Sequence, residues 1–96
     1  MRFFVYILAN SPHGRLYIGR TSDLRRRVWE HRNRALPGYT ARHAIATLVY
    51  FETHETLATA WHRERSLKRW RRDWKFNLIE RDNPHWQDLA SAWFTD

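Results

Sequence analysis

Two phenols, a guanidinium, an imidazole and a carboxylate stand along this chain at spacings that let them act together. Tyr6 and Tyr17 lie in two short runs rich in β-branched and aromatic residues, 3–9 and 15–20. If the runs pair as antiparallel strands, the two rings share one face. On its own, a buried tyrosine is ordinarily core with a hydrogen-bonded tip. Arg27 and His31 are four residues apart, so on a helix they project from one side, bordering the apolar stripe of Leu24 and Val28. A solvated cationic face is the plainer reading of such a pair. Glu64 falls on the stripe of Leu57, Ala60, Trp61 and Leu67, which turns a carboxylate toward the core. That position requires either a paired charge or a bound cation. Lys68, one helical turn on, offers the ion pair. The chemistry open to this set is proton transfer at a phenol or imidazole, stabilisation of developing negative charge, and cation binding.

The elements that must position these residues follow from periodicity and turn chemistry. Residues 10–14, Asn-Ser-Pro-His-Gly, separate the first two strands and predict a hairpin. Gly19 inside the second strand marks a bulge or a close approach by other groups. Thr21 or Ser22 is suited to cap a helix with Asp23 in its first turn, running through Leu24, Val28 and Ala35 to end before Pro37-Gly38. Residues 39–44 read as a mobile polar loop and 45–51 as a third strand. A second helix is predicted over 55–70 and a third from Arg72 through Trp74, Leu78 and Ile79. Asn83 and Pro84 then read as N-cap and first residue of a last helix, with Trp86, Leu89, Ala90 and Trp93 as its stripe. The order predicts a mixed α/β domain, helices packed on a small sheet, spanning 1–96 as one unit.

Composition narrows the partners. A chain of 96 residues with 43% hydrophobic and 16% aromatic content, including six tryptophans, sustains a core. Seventeen Lys and Arg against ten Asp and Glu give a net charge of +7, and the pI is about 10.8. That balance is the electrostatic footprint of a nucleic-acid binder, with anionic membranes and acidic proteins as rival partners. The absence of cysteine removes disulfides, thiolate zinc sites and cysteine nucleophiles, and fits a reducing cytoplasm. No run approaches the ~20 apolar residues of a membrane helix, and the N-terminal run is too short for a signal peptide. A soluble, cytoplasmic protein is expected.

Taken in order, these pieces resemble the GIY-YIG nuclease family, within it the small single-domain group related to the N-terminal module of the excinuclease C subunit. Val5-Tyr6-Ile7 and Tyr17-Ile18-Gly19 stand for its two name-giving motifs, with Val5 where the name has Gly. Thr21-Ser22-Asp23-Leu24-Arg25-Arg26-Arg27 matches the segment leading to the catalytic arginine, and His31 follows at the family's spacing. Residues 60–68, Ala-Trp-His-Arg-Glu-Arg-Ser-Leu-Lys, resemble the helix carrying the metal-binding glutamate, and 74–89 resemble the tail of the single-domain group. No residue clearly matches the late asparagine of some members; Asn77 is a weak candidate and Asn83 reads as a cap. The resemblance implies a small, mostly antiparallel three-stranded sheet flanked by helices. It also implies a metal-dependent endonuclease with Tyr6, Tyr17, Arg27, His31 and Glu64 catalytic.

The residues are suited to that reaction. Glu64 would hold one Mg²⁺ or Mn²⁺, a hard ion that keeps several waters and needs few protein ligands. Arg27 would stabilise charge on the phosphoryl group. A free phenol is ionised in about one molecule in a thousand at neutral pH, and neighbouring cations favour the phenolate. Tyr17 is assigned as base or water-positioner, with Tyr6 and His31 orienting it or relaying its proton. Nucleic acid, DNA in the first instance, would be gripped by Arg20, Arg63, Lys68, Arg69, Arg71 and Arg72, with Arg65 and Lys75 nearby. Trp70 and Trp74 among them are readable either as base-stacking platforms or as core. A protein partner supplying specificity fits so small a domain, and repair, recombination and mobile-element roles all stay open. The rival readings are a non-catalytic nucleic-acid-binding module of the same fold and a basic amphipathic protein at membranes.

Overall fold

The computed structural model describes residues 1–35 and 37–94; the boundary expected at residue 96 lies outside them. The elements run β1 (Phe3–Ala9), β2 (Leu16–Thr21), α1 (Leu24–Arg32), α2 (Tyr39–Arg42), β3 (Thr47–His54), α3 (Leu57–Arg69) and α4 (Arg72–Asp82). The sheet has three strands in the order β2-β1-β3, with β1 antiparallel to both neighbours. The expected antiparallel sheet flanked by helices is therefore the observed fold. Its central strand explains the unbroken apolar run of residues 5–9, all within 1% of complete burial. A strand covered on both faces has no solvent side on which to place polar residues.

The two coverings differ. On one face Val5, Ile7 and Ile18 pack with Ala60 and Leu67 of α3 and Leu78 and Ile79 of α4. On the other, Tyr6 and Leu8 pack with Leu24 and Val28 of α1, Ile45, Leu48 and Ala90. A register shift opposite Ile7 and Leu8 places the sheet's bulge at Val49 of β3, so that Val49 and Tyr50 both join the first cluster. Among the described residues no helix is long and apolar enough to cross a membrane.

Several boundaries differ from expectation for identifiable reasons. Asp23 itself caps α1, its carboxylate accepting from Arg26 N, while Thr21 Oγ1 accepts from Asp23 N. The helix ends at Arg32, short of Ala35. Residues 39–42 form a helical turn rather than a loop, because Thr40 is buried and its carbonyl accepts from Ile45 N at 2.9 Å. On α3 the buried face is Ala60, Glu64 and Leu67; Leu57 and Trp61 face outward, 53% and 38% exposed. Trp61 is instead covered by the Arg65 guanidinium, 4.7 Å from its ring centroid.

The last predicted helix does not form among the described residues, and Asn83 is the reason. It closes α4 instead of opening a helix. Its carboxamide nitrogen donates to Val49 O and Gln87 O, and its oxygen accepts from Gln87 N at 2.9 Å. Trp86, next to this knot, donates from Nε1 to Glu80 and packs in the α3–α4 core. We expect Asn83→Ala to lower the unfolding free energy by about 1–3 kcal/mol, since it orphans buried backbone groups. Urea denaturation measures this; a loss under about 0.5 kcal/mol would show that Trp86 and Ala90 alone hold the tail.

Candidate active site

The β1–β2 register sets the phenols. Tyr6 lies opposite Gly19 and Leu8 opposite Tyr17, which makes the tyrosines diagonal neighbours on one face, ring centroids 6.2 Å apart. Gly19 is the place of close approach and not the bulge. A Cβ there would sit 2.6 Å from the Tyr6 hydroxyl and 3.0 Å from Tyr17 Cε1. The bare α-carbon lets the Tyr6 ring lie across the edge strand.

His31 completes this cluster from α1. Its ring centroid is 5.3 Å from that of Tyr17 and 6.2 Å from that of Tyr6. Nδ1 is 3.0 Å from Thr40 Oγ1, and Nε2 is 3.5 Å from the Tyr6 hydroxyl, at the long limit of hydrogen bonding. Burial pushes the imidazole below its ordinary pKa of 6.5, the positive charge of Arg27 pushes it further, and Glu30 opposes both. His31 is therefore neutral at physiological pH. Burial also raises the Tyr6 phenol, with additions from Tyr17, Glu64 and Glu30 that outweigh the opposite pull of Arg27. Lowering of the phenol by neighbouring cations is thus not realised at Tyr6, which stays a neutral hydroxyl. Tyr17 is only half-buried.

Arg27 stands beside this group, its Nε 3.4 Å from Glu30 Oε1. A cavity of about 230 Å³, lined by residues 21–23 with Arg26, Arg27 and Glu30, opens next to it. Glu64 arrives from the other side of the sheet, since α3 packs on the Val5–Ile7 face. Its carboxylate is nearly enclosed, side chain 10% exposed, with Oε1 3.1 Å from Arg20 Nη1 and Oε2 2.7 Å from Lys68 Nζ. Both oxygens are thus paired, yet the charge still acts on Tyr6. Tyr6, Tyr17 and His31 thus meet on one face of the sheet with Arg27 beside them, whereas Glu64 lies across the sheet with its headgroup engaged by Arg20 and Lys68.

Among the described residues no group of three or more His, Cys, Asp or Glu could hold a metal ion. Glu64 is the candidate ligand among the predicted site residues. A hard divalent ion there would have to take the place of its ion pairs with Arg20 and Lys68, whose positive charges oppose it. Such an ion would share Glu64 with waters and substrate oxygens instead of sitting in an all-protein cage.

The predicted nucleic-acid contacts divide. Arg20 and Lys68 are bound to Glu64. Arg63 donates to both oxygens of Glu52 and lies over Trp70, while Arg72 donates to His13 O and Gly14 O and ties the first hairpin to α4. Arg71 pairs with Asp73 over Trp74, and Arg69 is exposed. Trp74 is half-exposed and Trp70 half-buried, edge to face with it. Thr40 and Glu30 are site residues that sequence reasoning missed. Glu30 was readable from its i, i+3 spacing to Arg27; Thr40 reaches His31 only through the fold of a segment read as a loop.

Known proteins share this fold. The family model described as the GIY-YIG catalytic domain matches residues 2–77. A UPF0213 protein of Haloquadratum walsbyi is 38% identical over 77 residues, 80% of this chain and 85% of that protein. A UPF0213 protein of Staphylococcus epidermidis is 35% identical over 79 residues, covering 82% and 95%. The solution NMR structure of a UPF0213 protein from Bacillus halodurans superposes with a TM-score of 0.57 at 25% identity, over 96% of this chain and 98% of that one. With the family model matched over residues 2–77 and relatives of this identity and coverage, the chain belongs to the GIY-YIG catalytic-domain family.

Proposed function

We propose that this protein is a divalent-metal-dependent endonuclease that hydrolyses phosphodiester bonds of DNA at the β2 edge. Membership of the GIY-YIG family implies nuclease activity and nucleic-acid binding in general terms. The observation that carries the finer reading is the meeting of Tyr6, Tyr17 and His31 on one face, with a buried carboxylate across the sheet whose charge reaches Tyr6. Arg27 stabilises negative charge on a phosphoryl group seated in the cavity beside it. Tyr17, the more accessible phenol, positions the attacking water and, in its phenolate form, takes the water's proton. Tyr6 remains protonated and orients by hydrogen bonding. With Nδ1 of His31 donating to Thr40, Nε2 is left to accept from Tyr6 and relay a proton. Glu64 would hold the ion, which would supply Lewis-acid neutralisation of negative charge in the reaction. The cationic surface and a protein partner together would select the substrate.

One observation favours a second reading, a binding module without catalysis: both Glu64 oxygens are already paired, with Arg20 and Lys68. Both readings give DNA binding that weakens steeply with salt. Only the nuclease cleaves.

Cleavage of plasmid and branched DNA in Mg²⁺ and Mn²⁺ decides between them. Tyr17→Phe should lower the rate about 10²–10⁴-fold and Arg27→Ala about 10²–10³-fold, with unchanged circular dichroism. Glu64→Gln should reduce cleavage to background. Wild-type rates in all three variants would contradict the scheme. His31 adds a pH signature: its folded pKa lies below 6.5, so the unfolded chain takes the proton first. Stability is then full above about pH 6.5 and declines as pH falls toward the folded value. Denaturation at several pH values should show this decline in the wild type and a shallower one in His31→Gln; equal slopes would contradict it.

A further inference from the structure

A second cavity adjoins the candidate site. It is an open groove of about 370 Å³, within the ~300–1,000 Å³ of small-ligand sites, lined by Phe4, Leu24, Phe51 and Trp93. Phe51 pairs with Tyr6 in the β1–β3 ladder and Phe4 is two residues from Tyr6, so both rings stand on the Tyr6 face of the sheet. Their mutual contacts are edge-to-face, Phe4–Phe51 at 6.5 Å and Phe51–Trp93 at 6.3 Å. That arrangement leaves Phe51 37% exposed, an unusual position for a large aromatic ring on a covered sheet face.

The surroundings identify the occupant. Ser22 and Asp23 line this cavity and also the polar cavity at Arg27, so the two are neighbours on either side of one turn. Arg25 lines the aromatic cavity, Arg26 the polar one, and the chain carries +7 overall. An aromatic slot rimmed by arginine, one turn away from a polar cavity at Arg27, suits one nucleotide with its base on the rings and its phosphate toward Arg27. We infer that the Phe4–Phe51–Trp93 cavity is a subsite for an unpaired nucleobase, which directs the enzyme to nucleic acid with an extrahelical or single-stranded nucleotide beside the cut. This rests on the nuclease reading for its phosphate position. It is independent of which residue acts as base. A base enclosed on aromatic faces contributes about 1–3 kcal/mol per base in comparable sites, so the preference it generates is on the order of tenfold or more.

The test is binding, measured by fluorescence anisotropy in EDTA so that cleavage plays no part. Three labelled DNAs are compared: a matched duplex, the same duplex with one extrahelical adenine, and that bulge with an abasic sugar in place of the adenosine. The wild type should bind the adenine bulge about tenfold more tightly than the abasic bulge. Phe51→Leu, which keeps an apolar side chain at an exposed position but removes its π face, should erase that difference and leave matched-duplex affinity unchanged. Trp93→Leu should do the same. Equal wild-type affinity for the two bulges, or a preference that survives both substitutions, overturns the subsite while leaving the nuclease reading standing. Binding to none of the three DNAs overturns both. Self-association that Phe51→Leu abolishes would assign the cavity to a second copy of the chain and likewise overturn the proposal. Glu64→Gln should retain the adenine preference, which separates the base subsite from the ion site.

Discussion

The structure depends on the closeness of one hydroxyl to one α-carbon. Tyr6 can lie across the edge strand only because residue 19 carries no side chain; a Cβ would come within 2.6 Å of the phenol oxygen. From that contact the rest follows. The ring's hydroxyl end reaches the sheet edge, where His31 descends from α1, Tyr17 stands diagonally opposite, and the field of Glu64 arrives from α3. A larger residue at 19 would push the phenol back over the core and separate the groups that the fold otherwise gathers.

The edge strand also reconciles two demands that conflict. The phenols and imidazole need a partly dry setting, which the α1 face of the sheet supplies. A carboxylate needs compensating charge, which is scarce in such a setting. Mounting Glu64 on the opposite face, between Arg20 and Lys68, satisfies it there while leaving it near enough to influence Tyr6. Burial then sets the phenols apart. Tyr6 is fully enclosed and stays protonated, while Tyr17 is only half-buried.

Much of this was legible in the residues. The apolar run of β1, the hairpin and the helical spacing of Arg27 and His31 follow from local patterns, and the buried position of Glu64 from the periodicity of α3. What was not legible is what depends on contacts distant in sequence. Trp61 and Leu57 scored as core because hydrophobicity alone cannot tell a stripe's centre from its margin; the helix is rotated so that Glu64 and Ala60 face the sheet. Asn83-Pro84 has the local signature of a helix start. The carbonyl of Val49, 34 positions earlier, claims the carboxamide instead. Thr40 sits in a segment with no periodicity, so its contact with His31 had no local signal. The arginines read as a nucleic-acid surface are partly structural, as Arg72 on the first hairpin and Arg63 on Glu52 show, because charge counts do not reveal which cations are already engaged.

The central proposal is that a divalent ion held at Glu64 acts across the β2 edge on the Tyr6–Tyr17–His31 cluster of the opposite face. Titrating Mn²⁺ while recording the aromatic and imidazole NMR signals tests it most directly, because the paramagnetic ion broadens only what lies near it. The account predicts selective broadening of Tyr6, Tyr17 and His31 in the wild type and its loss in Glu64→Gln. Broadening centred elsewhere, or left intact by that substitution, would contradict it.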